Sequence, residues 1–331
     1  MENLNRRSFF KWLGAGLTAF LSGLWGCTQG IRESLLTVWN ERGGASEVFN
    51  AKSVPPAIPF SIPNNIGIRF IVFGDWGMGD YNQLKVAKAM SLTAKQFGCD
   101  YIISTGDNFY PTGVTGIEDE QWTRKFTDIY KKNGLNQVFY PALGNHDYYG
   151  NERAEIEYSK INPQWYLPNY YYSKLFNSND GSNVELFVID SDLVNAENDE
   201  FTLKQSNWLE RQLKGSNAKW KIVVGHHPVY SNGFHNTSQI MINTFEALFV
   251  KYNVNLYMCG HNHEVHLLKP KKGVTYLVSG GGCTHHNTTW KDDTEYALTN
   301  LGYVWMNFNK ESINIQIHDS VGRVKFAHKI T

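Results

Sequence analysis

Short apolar stretches recur along the chain from residue 68 onward, and glycine with polar residues follows most of them. Several are continuous apolar runs rather than alternating ones, which is typical of strands buried on both faces. Over 303–308 and 312–318 the pattern changes to a period of two, which predicts antiparallel strands. The strands predicted from the continuous runs are 69–73, 101–104, 138–142, 185–189, 221–224, 256–258 and 275–278.

Segments with helical spacing lie between these strands. The segment 120–132, for example, carries Trp122, Phe126 and Ile129 at intervals of three and four residues. Interleaved strands and helices followed by β-hairpins indicate a layered α/β domain. The sequence has no internal repeat and no second linker, so one catalytic domain over 67–331 is the simplest organisation. The predicted helices are 83–97, 120–132, 203–213 and 242–252.

The first 26 residues have the features of an export signal. Arg6, Arg7 and Lys11 form a basic start, and the uncharged run 12–26 that follows is short for a membrane span. Adjacent arginines before an apolar run resemble a twin-arginine signal, which serves the bacterial export route for folded proteins. An ordinary signal peptide with a chance arginine pair is the alternative.

The apolar run ends at Cys27, and the segment 24–27 resembles a lipobox, in which Cys27 is lipidated and becomes the mature N-terminus. Trp25 departs from that pattern, because a small residue is usual there. Cleavage elsewhere, or retention of the segment as an anchor, stays open. Residues 27–66 include four prolines over 54–63 and are predicted to form an extended tether. These features predict a periplasmic or cell-envelope protein, with membrane attachment through Cys27.

The composition narrows the class of protein. Hydrophobic residues make up 42% of the chain and aromatic residues 14%, which is enough for a sizeable core. Lys+Arg and Asp+Glu both number 31, so the formal net charge is zero, whereas nucleic-acid-binding proteins are normally basic. Cys99 and Cys259 lie in apolar runs and are interpreted as small buried residues, so no disulfide is expected.

A cluster of glycine and chemically active polar residues follows each of five predicted strands. Because ligands of open α/β sheets gather at the carboxyl ends of the strands, these clusters are expected to lie together. One cluster alone is weak evidence, since Gly-Asp after a strand is usually a turn. Five clusters, each after its own strand, are hard to ascribe to chance. The clusters are Gly74-Asp75-Trp76-Gly77, Gly106-Asp107-Asn108-Phe109-Tyr110, Gly144-Asn145-His146-Asp147, Gly225-His226-His227-Pro228 and Gly260-His261-Asn262-His263.

The residue types in the clusters suit a metal site. Carboxylate, phenolate, imidazole and amide oxygen are ligands for hard or borderline metals, and the absence of cysteine among them argues against a structural zinc site. Seven candidate ligands exceed the needs of one metal, whereas two metals that share a bridging carboxylate use them all. The candidates are Asp75, Asp107, Tyr110, Asn145, His226, His261 and His263.

The order of the clusters resembles the metallophosphoesterase superfamily. Most of its members begin with Asp-x-His, whereas the first cluster here is Asp75-Trp76-Gly77 and has no histidine. Tyr110, three residues after Asp107, takes its place, which is a feature of the purple acid phosphatases. The run 225–230 together with His235 is similar to the small tartrate-resistant type of that family.

The resemblance implies an α/β fold, a four-layer αββα sandwich, and a role for each candidate. By this resemblance, Asp107 is expected to bridge two metals. His146 and His235 face the substrate phosphate as catalytic groups. The ligands implied for Fe(III) are Asp75, Asp107, Tyr110 and His263, and those for a second divalent metal (Fe, Zn or Mn) are Asp107, Asn145, His226 and His261.

These residues predict an acid phosphatase for small-molecule phosphate monoesters. In the expected reaction a metal-bound hydroxide attacks phosphorus, and a protonated His146 or His235 donates a proton to the leaving alcohol. A phosphodiesterase or nucleotide pyrophosphatase of the same superfamily is the nearest alternative. Tyr110 and the missing Asp-x-His argue against the cyclic-nucleotide type. A surface lipoprotein that binds phosphate without catalysis, or redox chemistry at the iron, also stays open. The physiological substrate and the oligomeric state are undetermined.

Histidines outside the five clusters receive structural interpretations. His285 and His286 follow a run of three glycines and are interpreted as exposed loop residues, with a substrate-contacting lid as the alternative. His318 and His328 lie on period-two strands and are interpreted as structural or surface residues. Tyr149 and the other tyrosines that flank the clusters line a pocket or simply pack.

Overall fold

The structure, a computed structural model, describes residues 66–331. The predicted export signal over 1–26, and the tether over 27–66 except for its last residue, lie outside the described residues. Within the described part, none of the helices is long and apolar enough to cross a membrane. The strands of this part, in chain order, are β1 (Ile68–Phe73), β2 (Tyr101–Ser104), β3 (Val138–Pro141), β4 (Tyr172–Asn177), β5 (Asn183–Val188), β6 (Trp220–Val224), β7 (Leu256–Cys259), β8 (Val265–Lys271), β9 (Val274–Ser279), β10 (Thr294–Leu298), β11 (Gly302–Phe308), β12 (Ile313–Asp319) and β13 (Val324–Ile330).

These strands form two mixed sheets. The first has the spatial order β13-β12-β11-β1-β2-β3, with β1, β2 and β3 parallel and the last three strands of the chain antiparallel. The second has the order β10-β8-β9-β7-β6-β5-β4, with β5, β6, β7 and β9 parallel. All nine strands predicted from the sequence are present, and the two at the end of the chain, β11 and β12, are antiparallel as predicted.

The second sheet divides its side chains between two cores, as alternation along a strand requires. Leu186 and Ile222 belong to a core that also contains the buried residues of the first sheet. Phe187 and Val223, each one position further along, belong to a separate core with helix residues such as Leu209. One core therefore lies between the sheets and another lies between the second sheet and its helices, which is the layering of a sandwich.

Helices cover the sheets, although two of the predicted helices are irregular. The segment 242–252 begins with a π-helical turn over Ile242–Glu246 and continues as an α-helix over Ala247–Lys251. The segment 120–132 is a π-helical turn over Trp122–Thr127 followed by a 3₁₀ turn, instead of one α-helix. Trp122 and Phe126 both pack on Trp165, with their ring centroids 5.3 and 5.2 Å from its ring centroid. The α-helices are α1 (Tyr81–Phe97), α2 (Glu152–Tyr158), α3 (Asp192–Asn195), α4 (Asp199–Gly215), α5 (Gln239–Met241) and α6 (Ala247–Lys251).

Candidate metal centre

The five polar clusters follow β1, β2, β3, β6 and β7, and three of them begin with a strained backbone. Asp75, Asp107 and His261 have left-handed conformations, with φ of 55°, 50° and 67°. This conformation costs a non-glycine residue on the order of 1–3 kcal/mol, so the surrounding structure must hold it in place. Strain of this kind concentrates at functional sites, so it indicates a functional site at the ends of β1, β2 and β7.

Two glycines allow neighbouring loops to approach the carboxylates. A Cβ atom on Gly144 would lie 2.3 Å from Asp107 Oδ1, and a Cβ atom on Gly260 would lie 2.3 Å from Asp75 Oδ2. Neither position has room for a side chain. The glycine that precedes each histidine- or asparagine-bearing loop is therefore needed to bring that loop onto a buried aspartate.

Tyr110, Asp75 and His263 form one group in the site together with Asp107. The Tyr110 hydroxyl donates to Asp107 Oδ2 at 2.7 Å, and it lies 3.1 Å from Asp75 Oδ1 and 3.2 Å from His263 Nε2. His263 Nε2 is 3.4 Å from Asp75 Oδ1. Among the described residues, the buried Nδ1 of His263 has no hydrogen-bond partner. Four potential ligand groups therefore converge beside the end of β1.

His226, Asn145 and His261 form a second group that also includes Asp107. His226 Nε2 lies 3.4 Å from Asp107 Oδ2, 3.2 Å from Asn145 Oδ1 and 3.3 Å from His261 Nδ1. The other ring nitrogen of His226, Nδ1, is 2.9 Å from the carbonyl oxygen of Thr105. A carbonyl can only accept, so the hydrogen belongs on Nδ1, and Nε2 is left to bind a metal.

The chemistry of these two groups fits a pair of metal ions with Asp107 between them. Asp107 Oδ2 contacts both groups, while its Oδ1 accepts from the backbone N–H of His146 at 2.8 Å. The carboxylates of Asp75 and Asp107 and the ring of His226 are buried, with ligand atoms all within 4.8 Å of one another. So many buried acceptors are costly unless cations satisfy them. The structure brings together all seven residues predicted from the sequence, and their roles as ligands stay a prediction.

Burial and charge act in opposite directions on the ionisable groups of the site. Burial raises the pKa of Asp75. Burial acts in the same sense on Asp107, but the charge and hydrogen bond of His226 outweigh it and lower the pKa of that carboxyl. Burial lowers the pKa of His226, yet the Asp107 carboxylate raises it to about 10. Burial and the two carboxylates raise the pKa of Tyr110, so a phenolate there requires a nearby cation.

His146 and His235 border the two groups from different loops. His146 follows β3, and its ring lies 4.4 Å from the ring of Tyr110, with Nδ1 2.7 Å from the carbonyl oxygen of Pro111. His235 follows β6, and its ring lies 4.0 Å from the ring of His261. Burial and the charge of a neighbouring histidine lower the pKa of His235. Both side chains are therefore placed at the edge of the site, where the sequence predicted catalytic groups.

Sequence reasoning missed the residues that hold these loops in place. Asn262 is fully buried, and its side chain accepts from the backbone N–H of His235 at 2.6 Å and donates to the His235 carbonyl at 2.8 Å. Asp147 accepts from the backbone N–H groups of Gly144 at 2.8 Å and Asn108 at 2.9 Å, which joins the loops after β2 and β3. Asn262 and Asp147 lie inside the polar clusters but are not predicted ligands, and this position was the sequence feature that could have indicated their role.

The interpretation of the loop after β9 is partly wrong. His285 is exposed as expected, but His286 packs face to face on His263 with ring centroids 4.3 Å apart. The loop turns back because the backbone N–H of His286 donates to the carbonyl of His263 at 2.8 Å. Cys283, in the same loop, is a buried free thiol. His318 is buried within β12, as its structural interpretation implied.

Comparisons with known proteins bear on the family. The profile of the family described as calcineurin-like phosphoesterase matches residues 68–265. The chain is 31% identical to tartrate-resistant acid phosphatase type 5 of Mus musculus over 65% of this chain and 72% of the relative. It is 29% identical to purple acid phosphatase 4 of Arabidopsis thaliana over 78% of this chain and 83% of the relative. A solved structure, GAP50, the anchor in the inner membrane complex of Plasmodium, shares the fold with a TM-score of 0.74 and 24% identity over 81% of this chain and 89% of that chain.

The matched range includes all five clusters, and it confirms the family and the α/β sandwich predicted from them. Similarity to purple acid phosphatases also implies a binuclear metal centre in a metal-dependent phosphoesterase. Asp75, Asp107 and His226 form a buried triad that could hold a metal, and the four other predicted ligands lie beside it. The chain therefore belongs to the calcineurin-like phosphoesterase family, with the tartrate-resistant and purple acid phosphatases as its relatives, and it is a hydrolase of the acid phosphatase class.

Proposed function

We propose that this chain hydrolyses small-molecule phosphate monoesters at a centre of Fe(III) and a second divalent metal, Fe, Zn or Mn. The observation that carries the proposal is the position of the Tyr110 oxygen, within 3.2 Å of Asp75, Asp107 and His263. A phenol has an ordinary pKa near 10, so its use as a ligand in mild acid favours a strong Lewis acid such as Fe(III) over a divalent ion.

The side chains of the site divide into a group that holds metals and a group that faces the substrate. When bound, the metal pair neutralises the charge of the phosphate and activates a water molecule as the nucleophile. His146 and His235 border the ligands from two loops, where they bind phosphate oxygens and hold a proton for the leaving alcohol. Their positions on loops from different sheets support one phosphate held between them.

The nature of the ester is tested by comparing two substrates with the same leaving group. The metal-loaded full chain is assayed with p-nitrophenyl phosphate and bis(p-nitrophenyl) phosphate. We expect a much higher kcat/KM for the monoester, and Asp107→Asn should abolish its hydrolysis because both groups of ligands lose their shared member. His328→Ala, on β13, serves as a matched histidine control that keeps activity. A preference for the diester would favour a phosphodiesterase instead.

A phosphate-binding surface lipoprotein without catalysis is the alternative from another class. A protein of this fold that has lost catalysis is expected to have lost metal ligands as well. All seven predicted ligands are present and adjacent here, which argues against this alternative. Binding of inorganic phosphate by a metal-loaded protein that hydrolyses neither ester would support this alternative. A nucleotide pyrophosphatase would be recognised by preferential cleavage of the phosphoanhydride bond in a dinucleotide.

We propose further that the protein is exported and attached to the cell envelope through Cys27. The support is the pair Arg6 and Arg7 before an apolar run that ends at Cys27. Replacing both arginines by lysine should leave the protein in the cytoplasm. Cys27→Ser should release it from the membrane fraction. Retention of the Cys27→Ser protein in that fraction, with no lipid on the wild type, would contradict the lipid anchor.

A further inference from the structure

Phe234 is a large apolar side chain that is exposed beside the metal centre. Its side chain is 68% exposed, and its ring lies 5.0 Å from the ring of His235 and 5.0 Å from the ring of His286. His235 in turn packs on His261 at 4.0 Å, and His286 packs on His263 at 4.3 Å. Phe234 therefore lies across two histidines, each of which contacts a proposed metal ligand.

The loop that carries Phe234 is firmly held. Asn262 bonds both the N–H and the carbonyl of His235, at 2.6 and 2.8 Å. On the other side of Phe234, a Cβ atom on Gly233 would lie 2.0 Å from Glu264 Oε1, so the backbone packs closely against the loop after β7. Phe234 is thus exposed on a fixed backbone. A ring in that position offers an apolar face to a molecule bound at the site.

A second exposed aromatic ring borders the site from the other sheet. Tyr149 is 63% exposed, and its ring lies 5.1 Å from the ring of His146. Tyr149 follows β3, whereas Phe234 follows β6, so each of the two histidines that face the phosphate has an exposed aromatic neighbour. Exposed aromatic rings next to both histidines indicate that the entrance recognises something flat and apolar.

We propose that Phe234, supported by His286, determines specificity by packing against the leaving group when that group contains an aromatic ring. The inference rests on the proposed hydrolysis of phosphate monoesters. A phosphate held beside His235 directs its ester oxygen outward, because the metal ligands lie on the inner side. A ring attached to that oxygen meets the face of Phe234, in the offset or edge-to-face geometry that aromatic pairs prefer. An aliphatic alcohol has no ring to use this surface.

The test compares phenyl phosphate with glycerol 2-phosphate in the metal-loaded full chain. Phe234→Ala should lower kcat/KM for phenyl phosphate by roughly threefold to tenfold, which corresponds to the loss of one aromatic pair. Hydrolysis of glycerol 2-phosphate and inhibition by inorganic phosphate should stay nearly unchanged. Phe234→Trp should keep the preference for phenyl phosphate. Tyr81→Ala removes a ring that is 75% exposed on α1 and should change the hydrolysis of neither substrate.

Equal losses for the two esters in Phe234→Ala would overturn the proposal, because Phe234 would then shape the loop rather than contact the leaving group. An unchanged rate with phenyl phosphate would overturn it as well. Calorimetric binding of phenylphosphonate and methylphosphonate gives a readout without turnover. A preference for phenylphosphonate that Phe234→Ala removes supports the proposal, and equal affinities in the wild type contradict it. Complete absence of monoester hydrolysis would contradict the proposed function, while the phosphonate result still decides the role of Phe234.

Discussion

Asn262→Ala should separate the loop of His235 from the metal ligands. The Asn262 side chain accepts from His235 N–H at 2.6 Å and donates to its carbonyl at 2.8 Å and to Ser231 Oγ at 2.7 Å. Each such bond contributes about 1 kcal/mol, and removal of the partner leaves the His235 N–H without its acceptor in a partly buried position. The three bonds together give a loss of roughly 3 kcal/mol in the free energy of unfolding.

The assay combines urea unfolding of the metal-loaded protein with kcat for a phosphate monoester. Ser231→Ala is the matched control, because it removes one of the Asn262 bonds and the bond from the Gly233 N–H, and it keeps both bonds to His235. In the control we expect a loss of about 2 kcal/mol and a near-normal kcat. In Asn262→Ala we expect a loss of about 3 kcal/mol and a lowered kcat. Equal stability and equal kcat in the two variants would refute the claim that Asn262 holds His235 in place.

Three further predictions concern other parts of the chain. Burial lowers the pKa of His318 to about 4, so between about pH 6.5 and pH 4 the unfolded chain binds a proton that the folded chain does not, and the free energy of unfolding should fall by roughly 3 kcal/mol as the pH drops through this window. In urea unfolding at a series of pH values, His318→Gln should lose this dependence, and pH profiles identical to those of the wild type would contradict the prediction. His235→Ala should lower kcat by about 10²-fold for an alkyl phosphate and less for p-nitrophenyl phosphate, which needs less protonation of its leaving group, and equal losses would remove His235 from the proton-donor role. Gly144→Ala should lower the free energy of unfolding by roughly 1–3 kcal/mol, because its Cβ would meet Asp107. Gly116→Ala, which has open space around it, should lower it little, and similar losses in the two variants would contradict the close approach at Gly144.

The sequence predicted the strands that are mainly apolar, including the edge strand β3, and missed strands of mixed composition. Tyr101–Ser104 and Trp220–Val224 are continuous apolar runs in the middle of the two sheets, and the sequence predicts both. The strands β4, β8 and β10 were not predicted, because each mixes polar with apolar residues. Their pairing depends on neighbours far away in the chain, which a local pattern does not contain.

The candidate site likewise has a part that local sequence predicts and a part that depends on contacts between distant segments. Its seven ligand candidates each come directly after a strand, so local sequence was enough to find them. The contacts of Asn262 with His235, and of His286 with His263, join loops from different strands. Contacts of that kind arise only when β6, β7 and β9 come together in the second sheet, and they decide which neighbours of the ligands hold the site and which face solvent.

The central claim is that Tyr110 and six other side chains hold an iron-containing pair of metals. Metal analysis of the purified full chain, together with its visible spectrum, tests this claim most directly. We expect two metals per chain, at least one of them iron, with a broad visible band from phenolate-to-iron charge transfer that gives a purple or pink colour. Tyr110→Phe should lose that band and keep its bound metals through Asp107 and the other ligands. A colourless, fully active wild type with two zinc ions and no iron would contradict the iron–tyrosinate assignment, and a single metal per chain would contradict the binuclear site.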